Sequence, residues 1–344
     1  MGFQSSVPGG LGVTIFFGIS GYIITRLLLV EYGQFGNVNV RLFYKRRFWK
    51  IAPPLFFIMI VPSVFFWDYY SISMEKFISQ IFFYFNWEQI FGQSGQIFPP
   101  SGVVWSLSIE EQFYIGIAAI ILTLQLSIKN ARTFVSLLTA TVCVTWFLSS
   151  MSRMLLAKSD VMAENFGETG NLPRVFLGTD TRISSICTGA VVAILSNDKC
   201  QNRIFRIIAK HRIITLFLSI LLLLASLTIR DQYFRDTFRY TLQEVAISLL
   251  IITGPVLNLW PKFIQRIAET SIIQVIGKSS YSLYLSHTVV LLAMNKILNR
   301  TSHDVNVYIW AFACGIVCIL IGVIAHRLFD LPFERKRLES RRVL

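Results

Sequence analysis

The stretch Val104-Trp-Ser-Leu-Ser-Ile-Glu-Glu-Gln-Phe-Tyr-Ile115 places two adjacent carboxylates, Glu110 and Glu111, inside a long apolar run. A charge at membrane depth is costly and tends to mark a functional position. The run spans 103–126, and about 20 mainly apolar residues suffice for a helix to cross a bilayer. On that helix Ser106, Glu110, Phe113 and Tyr114 share one face by i,i+3 and i,i+4 spacing. Glu111 points about 100° away. Neither acid can face lipid cheaply, so both are expected to face the interior of a bundle.

The same pattern recurs on either side. Of the 344 residues, 54% are hydrophobic and only 15% are charged. Further apolar runs lie at 11–30, 51–67, 134–156, 181–196, 213–229, 240–260, 272–294 and 307–329. The run 77–92 is shorter and has a polar middle, Asn86-Trp-Glu-Gln89, which suits an interfacial or re-entrant helix rather than a crossing. The expected fold is therefore all-α: a polytopic membrane bundle of about nine spanning helices plus one short helix, in a single domain over 1–344. Gly18, Ser20 and Gly21 mark a close-packing face on the first span. Pro53 and Pro54 are expected in the first turn of the second, where a missing amide donor costs least.

The formal charge of +13 has an ordinary cause. Lys and Arg gather in alternate loops, at 31–50, 197–212 and the tail with Arg335, Lys336, Arg337, Arg341 and Arg342, which is the positive-inside pattern. Basic loops beside an anionic leaflet leave no call for a nucleic-acid partner. The pattern puts the C-terminus in the cytoplasm and the N-terminus outside. One more helix upstream of Met1 would give an even-numbered bundle with both ends inside.

Other groups carry candidate chemistry. Ser280, Tyr284 and His287 form one helical stripe, fit for polar substrate contacts or for interhelical hydrogen bonds. Arg46 and Arg47 precede a span, either to grip phosphates or as anchors. Asp180 and Arg182 flank an outer helix end, where they pair with each other, cap the helix or contact substrate. His211 and His303 lie in loops, and His326 with Asp330 is an i,i+4 pair. The five cysteines, Cys143, Cys187, Cys200, Cys314 and Cys318, have no Cys-x-x-Cys spacing and no histidine to complete a metal set,. No metal is expected. Nucleophile-elbow, phosphate-loop and His-Glu-x-x-His motifs are absent,.

Taken together these pieces resemble the acyltransferase type 3 family, the bacterial integral-membrane O-acyltransferases. Gly12-Val-Thr-Ile-Phe-Phe-Gly-Ile-Ser-Gly-Tyr22 looks like a helix motif of that family, and Phe43-Tyr-Lys-Arg-Arg-Phe-Trp-Lys-Ile-Ala-Pro53 like its arginine motif. Trp105-Ser-Leu-Ser-Ile-Glu-Glu-Gln-Phe-Tyr114, Asp180-Thr-Arg182 and Tyr281-Ser-Leu-Tyr-Leu-Ser-His287 follow in the family's order. The resemblance implies transfer from a cytoplasmic acyl-CoA, usually acetyl-CoA, to a hydroxyl of a cell-surface glycan or lipid-linked glycan, in the bacterial inner membrane. It strengthens Arg46, Arg47, Glu110 and Arg182; with the constellations above, Glu110, Glu111 and His287 are the catalytic candidates. Arg46, Arg47, Trp105, Tyr114, Asp180, Arg182 and Tyr284 become substrate-binding candidates.

The chain departs from the pattern at its start. Nothing before Leu11 supplies the arginine and histidine of the family's first helix, and Thr14 stands where the family usually has an acid. The chain is thus expected to be N-terminally truncated relative to the family, a remnant, or a member with another base. A transporter or flippase-like protein without covalent chemistry is the alternative.

Overall fold

The computed structural model describes residues 10–92, 95–165, 172–197, 203–301, 306–334 and 336. Cys200, His303 and the tail arginines Arg335, Arg337, Arg341 and Arg342 lie outside the described residues. The fold is all-α, with no strand among the described residues. Its longer helices are α1 (Gly10–Phe35), α2 (Val40–Leu55), α3 (Val104–Ser127), α4 (Ala131–Asn165), α5 (Thr179–Leu195), α6 (Arg212–Thr228), α7 (Phe238–Ile251), α8 (Ser280–Thr301) and α9 (Val307–Ala325).

Among the described residues, five stretches are long and apolar enough to cross a membrane: Gly10–Phe35, Val40–Phe65, Pro99–Ser127, Ala131–Lys158 and Val307–Glu334. A sixth counts if Ile204–Lys210 and Arg212–Thr228, bent by 96°, make one span. The chain is a multi-pass membrane protein; among the described residues length and composition mark five or six of the nine expected runs as single long apolar helices. The differences have local causes. α5 has only 17 residues and carries Asp180 and Arg182. α7 ends in a π-turn at Ile252–Val256, which contains Pro255. The run 272–294 is split into Ser271–Lys278 and α8. The run 77–92 is shared between two short helices, Met74–Ile81 and Phe85–Phe91. At about 1.5 Å per residue neither can cross a bilayer.

The chain divides into two compact units. The first takes residues up to Val38, Asn86–Gly92 and Ser106–Trp260. Its centre is α5, packed against α1, α4 and α7. Eleven of its 17 residues are buried, among them Thr181, Arg182, Ser184 and Ser185, so its polar face points inward. Its contact with α1 is made backbone to backbone. A β-carbon on Gly189 would lie 1.9 Å from the Gly18 carbonyl oxygen, and one on Gly21 would lie 1.9 Å from the Ile186 carbonyl oxygen. The small-residue face of α1 thus does the packing expected of it. Gly189→Ala must push the helices apart and is expected to cost about 1–3 kcal/mol. Thermal unfolding of the detergent-solubilised chain measures this, and an unchanged midpoint would refute the contact. Deeper in the unit Tyr22, Val192, Ala193, Ile247 and Ile251 close an apolar cluster.

The second unit takes Asn39–Phe85, Gln93–Trp105 and the residues from Pro261 onward. Here the basic stretch expected as a loop is mostly helix. α2 begins at Val40, capped by the Asn39 side chain, which accepts from the Leu42 amide. Lys and Arg are good helix formers, so charge density alone did not signal a loop. Pro53 and Pro54 therefore sit inside the helix, not in its first turn. The chain continues past them through a π-turn at Phe56–Ile60 into Val61–Phe65. α8 and α9 pair closely, with Gly322 against Leu283. α8 is tied down by Tyr281 donating to the Ile51 carbonyl (3.0 Å) and Thr288 donating to the Pro100 carbonyl (2.9 Å).

Candidate functional site

In the first unit α3 carries Glu110 and Glu111, both half-buried. The Tyr114 hydroxyl, one turn on, donates to Glu110 Oε2 at 3.1 Å. Tyr114 is buried, and its oxygen also lies 2.5 Å from Ser20 Oγ of α1. Tyr114 spends its single proton on Glu110, so Ser20 is the donor in the second bond. The result is a directed chain from Ser20 through Tyr114 to the Glu110 carboxylate. Such a chain holds the Glu110 carboxylate in one rotamer.

The next residue on α3 but one, Gln112, anchors a second polar knot. Gln112 Nε2 donates to Asn86 Oδ1 (3.0 Å), and Gln112 Oε1 accepts from Trp87 Nε1 (3.2 Å) and from Thr179 Oγ1. Asn86 Nδ2 in turn donates to the Leu177 carbonyl (3.1 Å) and to Thr179 Oγ1 (2.9 Å). The polar middle that kept 77–92 from reading as a span thus serves as a fastener onto α3 and the start of α5.

Asp180 and Arg182 do not pair with each other. They are two residues apart on α5, about 200° around the helix. Asp180 instead takes both Nε (3.1 Å) and Nη2 (2.7 Å) of Arg174. Arg182 points inward and is 0% exposed. Its Nη2 donates to Thr14 Oγ1 at 3.2 Å, while its Nε and Nη1 find no hydrogen-bond partner among the described residues. Thr14, where the family resemblance leads one to expect an acid, offers only a neutral oxygen. The guanidinium lies 4.0 Å from the centroid of the buried Tyr240 ring.

Two residues that composition and motif reading missed stand beside it. Arg153 of α4 is 0% exposed and Glu244 of α7 is 2% exposed, and they pair at 3.6 Å. Glu244 Oε1 accepts from Ser184 (2.7 Å) and Ser185 (2.8 Å), and its Oε2 accepts from Trp146 Nε1 (3.1 Å). Arg153 donates to the Thr181 carbonyl, Ser184 Oγ and Thr241 Oγ1. Glu244 Oε1 is therefore shared by Ser184, Ser185 and Arg153, and no hydrogen bond or ion pair joins Glu244 to Arg182 among the described residues. Arg153 and Arg239 also approach the Tyr240 ring, at 5.2 and 4.9 Å. Cation–π contact returns about 0.5–2 kcal/mol per pair, less than the several kcal/mol it costs to bury an ion. The one signal for Arg153 and Glu244 in the sequence was a lone charge inside each apolar run.

In the second unit His287 and Tyr284 lie on α8. His287 Nδ1 contacts the Tyr284 carbonyl. A carbonyl only accepts, so Nδ1 carries the proton, and in the neutral ring Nε2 keeps its lone pair. Tyr284 Oη donates to the Val103 carbonyl (3.1 Å), just before α3. Its hydroxyl thus ties α8 to the segment that leads into α3. Trp105 is buried, and Arg46 and Arg47 are half-buried on α2. Lys50, one turn on, reaches Asp330 at 3.8 Å, and Asp330 also accepts from His326 Nδ1 (2.6 Å) and Ser282 Oγ (2.8 Å). The His326–Asp330 pair is the local contact that its spacing implied. Cys143, Cys187, Cys314 and Cys318 are free thiols.

Comparison with known proteins bears on what these groups do. The family model of the acyltransferase domain matches residues 2–328. The O-acetyltransferase OatA of Staphylococcus aureus strain NCTC 8325 is 28% identical over 345 residues, covering 96% of this chain and 54% of OatA. OatA of Staphylococcus aureus strain COL matches with the same identity and coverage. The chain thus spans about half the length of the curated relatives it matches. No solved structure matches it.

Proposed function

The chain belongs to the acyltransferase domain family, and from that premise we propose that it is a bacterial inner-membrane O-acyltransferase. It would move an acyl group, normally acetyl, from cytoplasmic acyl-CoA to a hydroxyl of a cell-envelope glycan or a lipid-linked precursor. The observation that carries this reading is the family match across residues 2–328. Relatives named O-acetyltransferases support the acetyl group and the oxygen acceptor.

In this reading the acceptor O–H gives its proton to a protein base as its oxygen attacks the thioester carbon. The C–O bond forms, the C–S bond breaks, and the proton ends on the CoA thiol. Glu110 is the base favoured by geometry, because the Ser20–Tyr114 chain fixes its carboxylate. Glu111 on the adjoining face and His287 with its free Nε2 lone pair are the further proton-handling groups. Arg46 and Arg47, on the side read as cytoplasmic, suit the phosphates of the donor. Trp105, Tyr114, Asp180, Arg182 and Tyr284 are assigned to substrate contact or positioning.

The test is transfer of label from radiolabelled acetyl-CoA to envelope glycan, in membranes of cells producing the protein. Transfer above that of empty membranes is expected. Movement of glycan across the membrane with no acetyl-CoA consumed would replace this reading with transport.

A further inference from the structure

We propose that Arg153, Arg182 and Arg239, gathered around the Tyr240 ring, form a binding site for a phosphate-bearing group. Three guanidinium groups approach one aromatic ring, at 5.2, 4.0 and 4.9 Å from its centroid. Among the described residues the one carboxylate that the hydrogen bonds and ion pairs bring to this cluster is Glu244, which is bound to Arg153, Ser184, Ser185 and Trp146. Two positive charges remain uncompensated.

The unused donors point the same way. Nε and Nη1 of Arg182, Nε of Arg153 and Nε of Arg239 are all buried without a hydrogen-bond partner among the described residues. A buried donor group is normally satisfied, and a buried charge is normally paired. Arg182 meets neither condition, although it is completely buried. An anion supplies both. A carboxylate brings one charge. A phosphate monoester or a diesterified pyrophosphate brings close to two and several acceptor oxygens, which matches the deficit. Arg239 is partly exposed and adjoins Tyr240, so it gives the group a way in.

The site requires no assignment of the transfer reaction, and its test reads binding alone. Phosphate can come from a membrane lipid or lipid-linked precursor, or from a soluble molecule. The full chain, purified in phosphate-free detergent, is assayed for retained phosphorus. It is then titrated with inorganic pyrophosphate, and thermal stabilisation is compared with that from sodium chloride of equal ionic strength. Retained phosphorus that is lost in Arg182→Gln and reduced in Arg239→Gln supports a lipid-borne ligand. Saturable stabilisation by pyrophosphate without retained phosphorus supports a soluble one. In that case Arg182→Gln is expected to weaken binding at least about tenfold and Arg239→Gln about threefold. If Arg182→Gln does not fold, the partly exposed Arg239→Gln decides. Neither retained phosphorus nor saturable stabilisation, or values unchanged in the variants that fold, overturns the site.

Discussion

Glu110→Gln is expected to lower acyl transfer roughly a hundred- to ten-thousandfold, the usual contribution of a positioned acid–base group. The expectation rests on how the carboxylate is held. Tyr114 donates to it at 3.1 Å, and Ser20 stands behind Tyr114 at 2.5 Å. A glutamine has the same shape and can still accept the Tyr114 proton. The packing of α3 against α1 should therefore survive, and only the capacity to take a proton is lost. Tyr114→Phe removes the support but not the base, so its loss should be smaller, about tenfold or less. Amounts of membrane-inserted protein should be equal across wild type and both variants. If Glu110→Gln keeps transfer within a factor of about three, Glu110 is not the base, and Glu111 or His287 takes its place in the proposal.

The asymmetry between those two variants also reflects what could be read before the structure. Two adjacent glutamates in an apolar run announce themselves, because nothing in lipid can satisfy them. Tyr114 follows Glu110 by four residues, so their contact is local and legible in the spacing. Ser20 is not legible, since no local rule links it to Tyr114 through the intervening chain. The same limit hid the ion pair. Arg153 and Glu244 sit singly in two different runs, each looking like a tolerated blemish, and only the packing of α4, α5 and α7 joins them. Asp180 and Arg182 misled in the opposite way. Closeness in sequence suggested a pair, but helix geometry turns them apart, and Asp180 takes the more distant Arg174. In α2 the density of Lys and Arg read as a loop, whereas these residues favour helix and the Asn39 cap starts one. Hydrophobic runs located the helical segments of the fold. They did not give their lengths, because the run 272–294 reads straight through the short polar stretch Gly277-Lys-Ser-Ser280, where the helix breaks at Ser279.

Arg153→Ala is expected to destabilise the first unit by about 3–5 kcal/mol, the cost of removing one partner from a buried ion pair. Both members are essentially inaccessible to water, so Glu244 would be left charged and uncompensated apart from its neutral donors, Ser184, Ser185 and Trp146. Thr181, Ser184 and Thr241 would each lose a hydrogen-bond partner as well. One effect opposes this. Arg153 and Arg182 share the Tyr240 ring, so removing Arg153 relieves some like-charge repulsion. The relief is smaller than the loss, because Arg153 gives up an ion pair at 3.6 Å and three hydrogen bonds at once. The double variant Arg153→Met/Glu244→Leu separates pairing from packing. Replacing a whole buried pair by apolar side chains of similar volume is often neutral, so the double variant should recover at least about half of the lost stability. Chemical unfolding of the detergent-solubilised chain, followed by tryptophan fluorescence, measures both. A single variant that loses less than about 1 kcal/mol would mean that water reaches the pair. A double variant as unstable as the sum of its singles would mean that the two charges do not act on each other.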